Sequence, residues 1–208
     1  MNCRVKPGND SGGVVRSLFQ FVLAAALAFL SPLPAFATPL KIVALGDSAT
    51  SGWLVARKDA YPAELERRLR AHGYDVTVKN AGIPGETSGG ALKRLDLAVD
   101  PDTKIVLVET GTNDLRLHIP AARMRANVTE IVRTLQKRRI AVLLIGLGSL
   151  DLSGIARATH VQYARFKLPP GKYRARDGAH FNAEGYRIVV TRMLPEVERL
   201  IAEIRTRP

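Results

Sequence analysis

Cysteine is all but absent from this sequence, with one residue, Cys3, in a chain of 208. A lone thiol builds no internal disulfide framework, so stability has to come from a hydrophobic core. The four histidines are scattered and have no thiol cluster beside them, so neither a metal nor a cofactor is expected. Aromatic residues make up only 6% and do not interleave with the basic clusters at Arg67, Arg68 and Arg70, at Lys93 and Arg94, or at Lys137 to Arg139. That pattern argues against a nucleic-acid site. Low-complexity tracts are missing too, which leaves one globular domain as the expectation.

A long apolar run is also lacking. The longest, Ser17 to Leu30, falls short of the roughly 20 residues that a membrane-spanning helix needs. Arg4, Lys6 and Arg16 precede it, Pro32 and Pro34 break it, and Ala35-Phe36-Ala37 follows with small residues at the positions a signal peptidase reads. The three-part pattern predicts a signal peptide over residues 1–37, cleaved after Ala37, and a domain over residues 38–208. The product is then expected to be periplasmic or secreted, with no transmembrane helix after processing. Cys3 lies before the apolar run, which excludes a lipoprotein attachment there.

Acidic residues are the scarcer charge, 19 against 31 Lys and Arg, for a net charge of +12. Cleavage changes this little, because Arg4, Lys6 and Arg16 leave together with Asp10. Spread over several helices, the excess reads as a solvated basic surface, suited to electrostatic contact with anionic envelope lipids or polysaccharide.

What is present is an alternation of short apolar blocks with amphipathic stretches. Strands are expected at Leu40 to Gly46, Val76 to Asn80, Lys104 to Val108 and Ile140 to Ile145. Helices are expected from Pro62 to Gly73, through Ala91 to Leu97, after Pro120, and from about Ala183 to Arg205, the last kinked or divided at Pro195. Met124, Val128, Ile131, Val132 and Leu135 fall on one face of the third helix. Residues 146–175 show no clear period; Phe166-Lys167-Leu168 or the neighbourhood of Tyr173 offers at most a short edge strand. Apolar strands alternating with helices imply a parallel sheet sandwiched between helices, with ligands bound outside the carboxyl ends of the strands.

Those carboxyl ends carry the polar groups. Gly46-Asp47-Ser48 follows the first strand, Asn80 to Gly85 the second, and Gly111-Thr112-Asn113-Asp114 the third. Asp177 and His180 stand three residues apart across a glycine-containing turn just before the last helix. A serine nucleophile needs a base, a carboxylate that orients the base, and donors for the developing oxyanion. Each role has a candidate here. The other histidines, His72, His118 and His160, lack a carboxylate at such spacing and read as surface or loop residues.

The four blocks, in this order, resemble the SGNH (GDSL-type) hydrolases. The resemblance implies a three-layer α/β/α sandwich with a flavodoxin-like parallel sheet of four to five strands. It implies a triad of Ser48, His180 and Asp177, and an oxyanion hole made by the N–H groups of Ser48 and Gly85 and the side-chain amide of Asn113. Gly82 competes with Gly85 for the second donor. An exported serine esterase acting on acyl esters or thioesters is expected, of arylesterase, thioesterase or lysophospholipase type, with a small acyl ester or lipid as substrate. The alternatives are a carbohydrate O-deacetylase of the same fold and a non-catalytic basic envelope-binding protein. No G-x-S-x-G elbow occurs, which disfavours an ordinary α/β-hydrolase. Trp53, Leu115, Leu117 and Ile119 are candidates for an acyl pocket. Ala49 departs from the family's leucine and is expected to alter the packing beneath the nucleophile more than the chemistry. Asp47 and Asp114 are expected to brace their turns.

Overall fold

The apolar blocks lie side by side in one parallel sheet. The computed structural model describes residues 1–3, 38–167 and 170–206, so the expected cleavage after Ala37 and nearly all of the expected leader lie outside the described residues. The chain divides into two units, Met1–Thr38 and Pro39–Pro208, and the sheet and its helices belong to the second.

Five strands, β1 (Leu40–Gly46), β2 (Val76–Gly82), β3 (Ile105–Glu109), β4 (Ala141–Leu147) and β5 (Gln162–Phe166), pair in the order β2-β1-β3-β4-β5. Every pairing is parallel. The helices are α1 (Ser48–Ser51), α2 (Tyr61–Ala71), α3 (Ser88–Lys93), α4 (Leu95–Ala98), α5 (Thr112–Arg116), α6 (Ala121–Lys137), α7 (Ser153–Thr159) and α8 (Ala183–Thr206).

Alternate strand residues serve two separate cores, which is why the strands read as continuous apolar runs. Ile42, Ala44, Ile105, Leu107, Leu143 and Ile145 pack with Leu65 and Leu69 of α2 and with Val190 and Val197 of α8. Val43, Leu45, Val106, Val108, Val142 and Leu144 pack with Ala91 of α3, Val128 and Ile131 of α6, and Ile155 of α7. The result is three layers. Each fully buried leucine or isoleucine contributes about 1.5–3 kcal/mol relative to exposure, so the cores stabilise the domain without a cross-link.

Several elements differ from the expectation. β2 runs two residues past Asn80, and the helix expected through Ala91 to Leu97 breaks at Arg94 into α3 and α4. Gly111 to Asp114, expected as a loop, leads into the single turn of α5 behind Gly111, whose φ is +112°. The stretch without a clear period holds α7 and a true edge strand, β5, while the Tyr173 region forms a 3₁₀ turn, Gly171–Tyr173. Among the described residues β5 pairs only with β4, and it is mostly half-exposed, so its sequence QYARF lacks the apolar character of the inner strands. α8 runs as one helix through Pro195; Met193, Leu194 and Val197 are buried on either side of it and hold both halves against the sheet.

Strand order reverses at β1 and β3. The crevice beyond their carboxyl ends is where such sheets bind ligands.

Candidate active site

Ser48 opens α1 immediately beyond β1. Asp47 caps that single turn: its Oδ1 accepts from the Ala49 N–H at 2.9 Å. The turn is held very close to its neighbours. A Cβ on Gly46 would lie 2.1 Å from Thr50 Oγ1 and 2.4 Å from the Glu109 carbonyl, and one on Gly82 would lie 2.2 Å from the Ser51 nitrogen. Only glycine lets the sheet ends and the Ser48 turn meet this tightly. Ala49 is buried beneath the turn, where its carbonyl accepts from the Tyr186 hydroxyl at 2.9 Å.

His180 arrives from the far end of the chain. The loop before α8 is closed by an antiparallel bridge between Arg174 and Phe181, and the Ala175 N–H donates to the His180 carbonyl at 2.8 Å. Within the loop, Asp177 Oδ1 accepts from the N–H groups of Ala179 and His180, both at 3.0 Å. Asp177 Oδ2 lies 2.5 Å from His180 Nδ1, and His180 Nε2 lies 2.8 Å from Ser48 Oγ. A carboxylate only accepts, so the ring hydrogen sits on Nδ1 and the Nε2 lone pair faces the serine hydroxyl. The bond from His180, together with the two loop N–H groups, holds the Asp177 carboxyl down at about 2. This carboxylate is therefore ionised at neutral pH.

Asn113, the second residue of α5, is buried and ties three blocks together. Its Nδ2 donates to Asp47 Oδ2 at 3.0 Å and to the Glu86 carbonyl at 2.9 Å. Glu86 directly follows Gly85, which takes φ +79° with open space where a Cβ would stand. Conformation, not crowding, demands glycine there. Neither the Ser48 N–H nor the Gly85 N–H has an acceptor among the described residues. The Gly82 N–H, by contrast, donates to Asn80 Oδ1 at 3.0 Å. Asp114 is fully buried and accepts from the Ser88 N–H and hydroxyl at 2.7 and 2.6 Å, locking α5 to α3.

One residue beneath the site was not anticipated. Glu109 ends β3, is 1% exposed, and accepts from Thr50 Oγ1 at 2.9 Å, while its Oε1 has no partner among the described residues. Burial first, and the neighbouring Asp47 charge second, push its carboxyl well above the ordinary range; burial raises Asp47 as well. The signal was available: an ionisable side chain closes an otherwise apolar strand and stands just before the Gly111 to Asp114 block. Arg94 is similar, bracing the glycine block through Glu86 at 2.5 Å and the Ala81 carbonyl at 2.7 Å.

A cleft of about 330 Å³ opens over Ser48 and His180, walled by Ala49, Asn113, Leu147 and Phe181 among others. Trp53, Leu115, Leu117 and Ile119 are not among its lining residues, and the first three are exposed. Ile119 is half-buried.

Residues 44–188 match the model of the GDSL-like lipase/acylhydrolase family, a span that includes every block above. The chain belongs to this family. An arylesterase of Vibrio mimicus is 32% identical over 106 residues, which are 50% of this chain and 53% of that protein. Esterase TesA of Pseudomonas aeruginosa is 31% identical over 107 residues, 51% of this chain and 53% of TesA. The chain thus spans about half the length of the curated relatives it matches. In fold, the psychrotrophic esterase EstA from Pseudoalteromonas superposes with a TM-score of 0.70 at 23% identity, covering 78% of this chain and 98% of EstA.

Proposed function

We propose that this GDSL-family protein is a serine esterase that hydrolyses acyl esters or thioesters through an acyl-enzyme on Ser48. The observation that supports this most directly is the unbroken chain from Asp177 through His180 to Ser48, with contacts of 2.5 and 2.8 Å. His180 Nε2 takes the proton from Ser48 Oγ as that oxygen attacks the acyl carbonyl. The carbonyl oxygen becomes an oxyanion, held by the Ser48 and Gly85 N–H groups and by the Asn113 amide. Both hydrogens of that amide are engaged in the resting site, so the oxyanion shares or replaces an existing acceptor. His180 then returns the proton to the departing alcohol or thiol. Water, deprotonated by the same imidazole, attacks the acyl-enzyme and releases the acid.

Gly85 is favoured over Gly82 as the backbone donor, because the Gly82 N–H is already satisfied by Asn80. The arylesterase and TesA relatives support ester substrates, and the expected class remains small acyl esters or lipids. Export to the periplasm or medium, and salt-sensitive contact of the basic surface with anionic envelope lipids or polysaccharide, belong to the same reading. The test is hydrolysis of a nitrophenyl ester series from acetate to palmitate by the wild type and Ser48→Ala. Loss of all turnover in a variant with unchanged thermal melting supports the nucleophile; full activity refutes it. Activity confined to acetate would favour the O-deacetylase alternative.

A further inference from the structure

We propose that the catalytic cleft contains an anion subsite, formed by Arg116, Ser149 and Arg174, that selects acyl esters carrying a phosphate or carboxylate on the alcohol side of the scissile bond. This rests on the serine-esterase reading above. All three residues line the same cleft as Ser48 and His180, yet they come from α5, the β4–α7 turn and the loop before α8.

Several basic side chains elsewhere on the surface are spent on carboxylates. Arg67 and Arg68 pair with Glu64, Arg70 with Glu66, Arg94 with Glu86 and Arg199 with Glu196. Arg116 is exposed at the cleft and makes no hydrogen bond or ion pair through its guanidinium among the described residues. Ser149 likewise has neither its N–H nor its hydroxyl engaged among the described residues. The carboxylates of the cleft do not neutralise Arg116. Asp47 is buried and spent on Ala49 and Asn113, while Asp177 is spent on His180 and its own loop. Arg165 adds further positive charge behind the turn, donating to the Gly148 carbonyl at 3.1 Å.

The side of the ester is set by the proton path. His180 returns its proton to the leaving oxygen, so whatever is tethered to that oxygen emerges past His180. Arg174 rides on the same loop, where its Nη1 donates to the Gly178 carbonyl at 2.7 Å. A guanidinium with a fork of donors matches phosphate and carboxylate oxygens. Because the site is open to solvent, the gain per arginine is moderate and salt-sensitive.

The test compares 4-acetoxybenzoate with 4-acetoxybenzamide, which differ in charge on the alcohol side while the neutral amide has the better leaving group. A second arm compares a 1-acylglycerol 3-phosphate with the 1-acylglycerol of the same chain, and the two arms separate carboxylate from phosphate preference. At low salt, kcat/KM is expected to favour at least one anionic ester by about tenfold, expressed chiefly in KM, and 0.5 M NaCl should erase the difference. Arg116→Gln should bring that ratio towards one, and Arg116→Lys should restore part of it. Equal or faster hydrolysis of both neutral esters, or an Arg116→Gln effect identical on both members of each pair, would overturn the subsite while leaving the esterase reading standing. No hydrolysis of any ester, nitrophenyl acetate included, would overturn both.

Discussion

The side-chain amide of Asn113 donates to the carboxylate of Asp47 at 3.0 Å, so the residue before Ser48 also orients the Asn113 amide. Asp47 caps the serine turn with one oxygen and holds Asn113 with the other. Asp47 therefore ties the Ser48 turn to Asn113, although the two follow different strands.

Asn113→Ala is expected to lower kcat by roughly 10²–10³, the usual worth of one oxyanion donor, with KM nearly constant. Steady-state kinetics on a nitrophenyl ester measures this. Unchanged turnover would remove Asn113 from the site.

Asp177→Asn should leave the loop intact, because an amide oxygen still accepts from the Ala179 and His180 N–H groups. The imidazole loses its orienting carboxylate and takes the wrong tautomer, so kcat is expected to fall by about 10⁴. Thermal melting alongside kinetics separates this from unfolding: the melting temperature should hold while turnover collapses.

Glu109 predicts a pH effect on stability. Burial and the Asp47 charge raise its carboxyl in the folded state. The folded protein then keeps a proton that the unfolded chain has lost, and this contribution is complete below the ordinary carboxyl range. It declines as pH rises from there towards the folded value. The slope is at most about 1.4 kcal/mol per pH unit. Urea unfolding of Glu109→Gln across pH 5 to 9 should lack this component, and slopes equal to the wild type would mean Glu109 is ionised in the fold.

Two glycines should respond oppositely to a methyl group. Gly46→Ala drives a Cβ into Thr50 and Glu109 and is expected to cost about 1–3 kcal/mol or more. Gly154, near the start of α7, has nothing within 4 Å of a Cβ, and alanine there should stabilise by about 0.4–1 kcal/mol. Equilibrium denaturation of the pair tests both.

Legibility tracked how local each signal was. The inner strands are readable because burial on both faces leaves nearly every position apolar, and α6 because its five large apolar residues all face the core. β5 is not, since an edge strand with one neighbour keeps exposed polar residues. The acyl-pocket candidates are adjacent to the blocks in sequence, and adjacency does not fix direction: Leu117 is 62% exposed, while Leu147 and Phe181, distant in sequence, wall the cleft.

By itself the sequence determined the parallel α/β plan, the glycines at the strand ends, and the Asp177–His180 pair, whose geometry is closed by a three-residue turn. Only the tertiary structure brought His180 to Ser48 across 132 positions, since that contact depends on strand order and on where α8 docks. The same holds for Asn113 on Asp47 and for Glu109 beneath them. Polar contacts between carboxyl ends of different strands have no period to read, because the register of the sheet creates them.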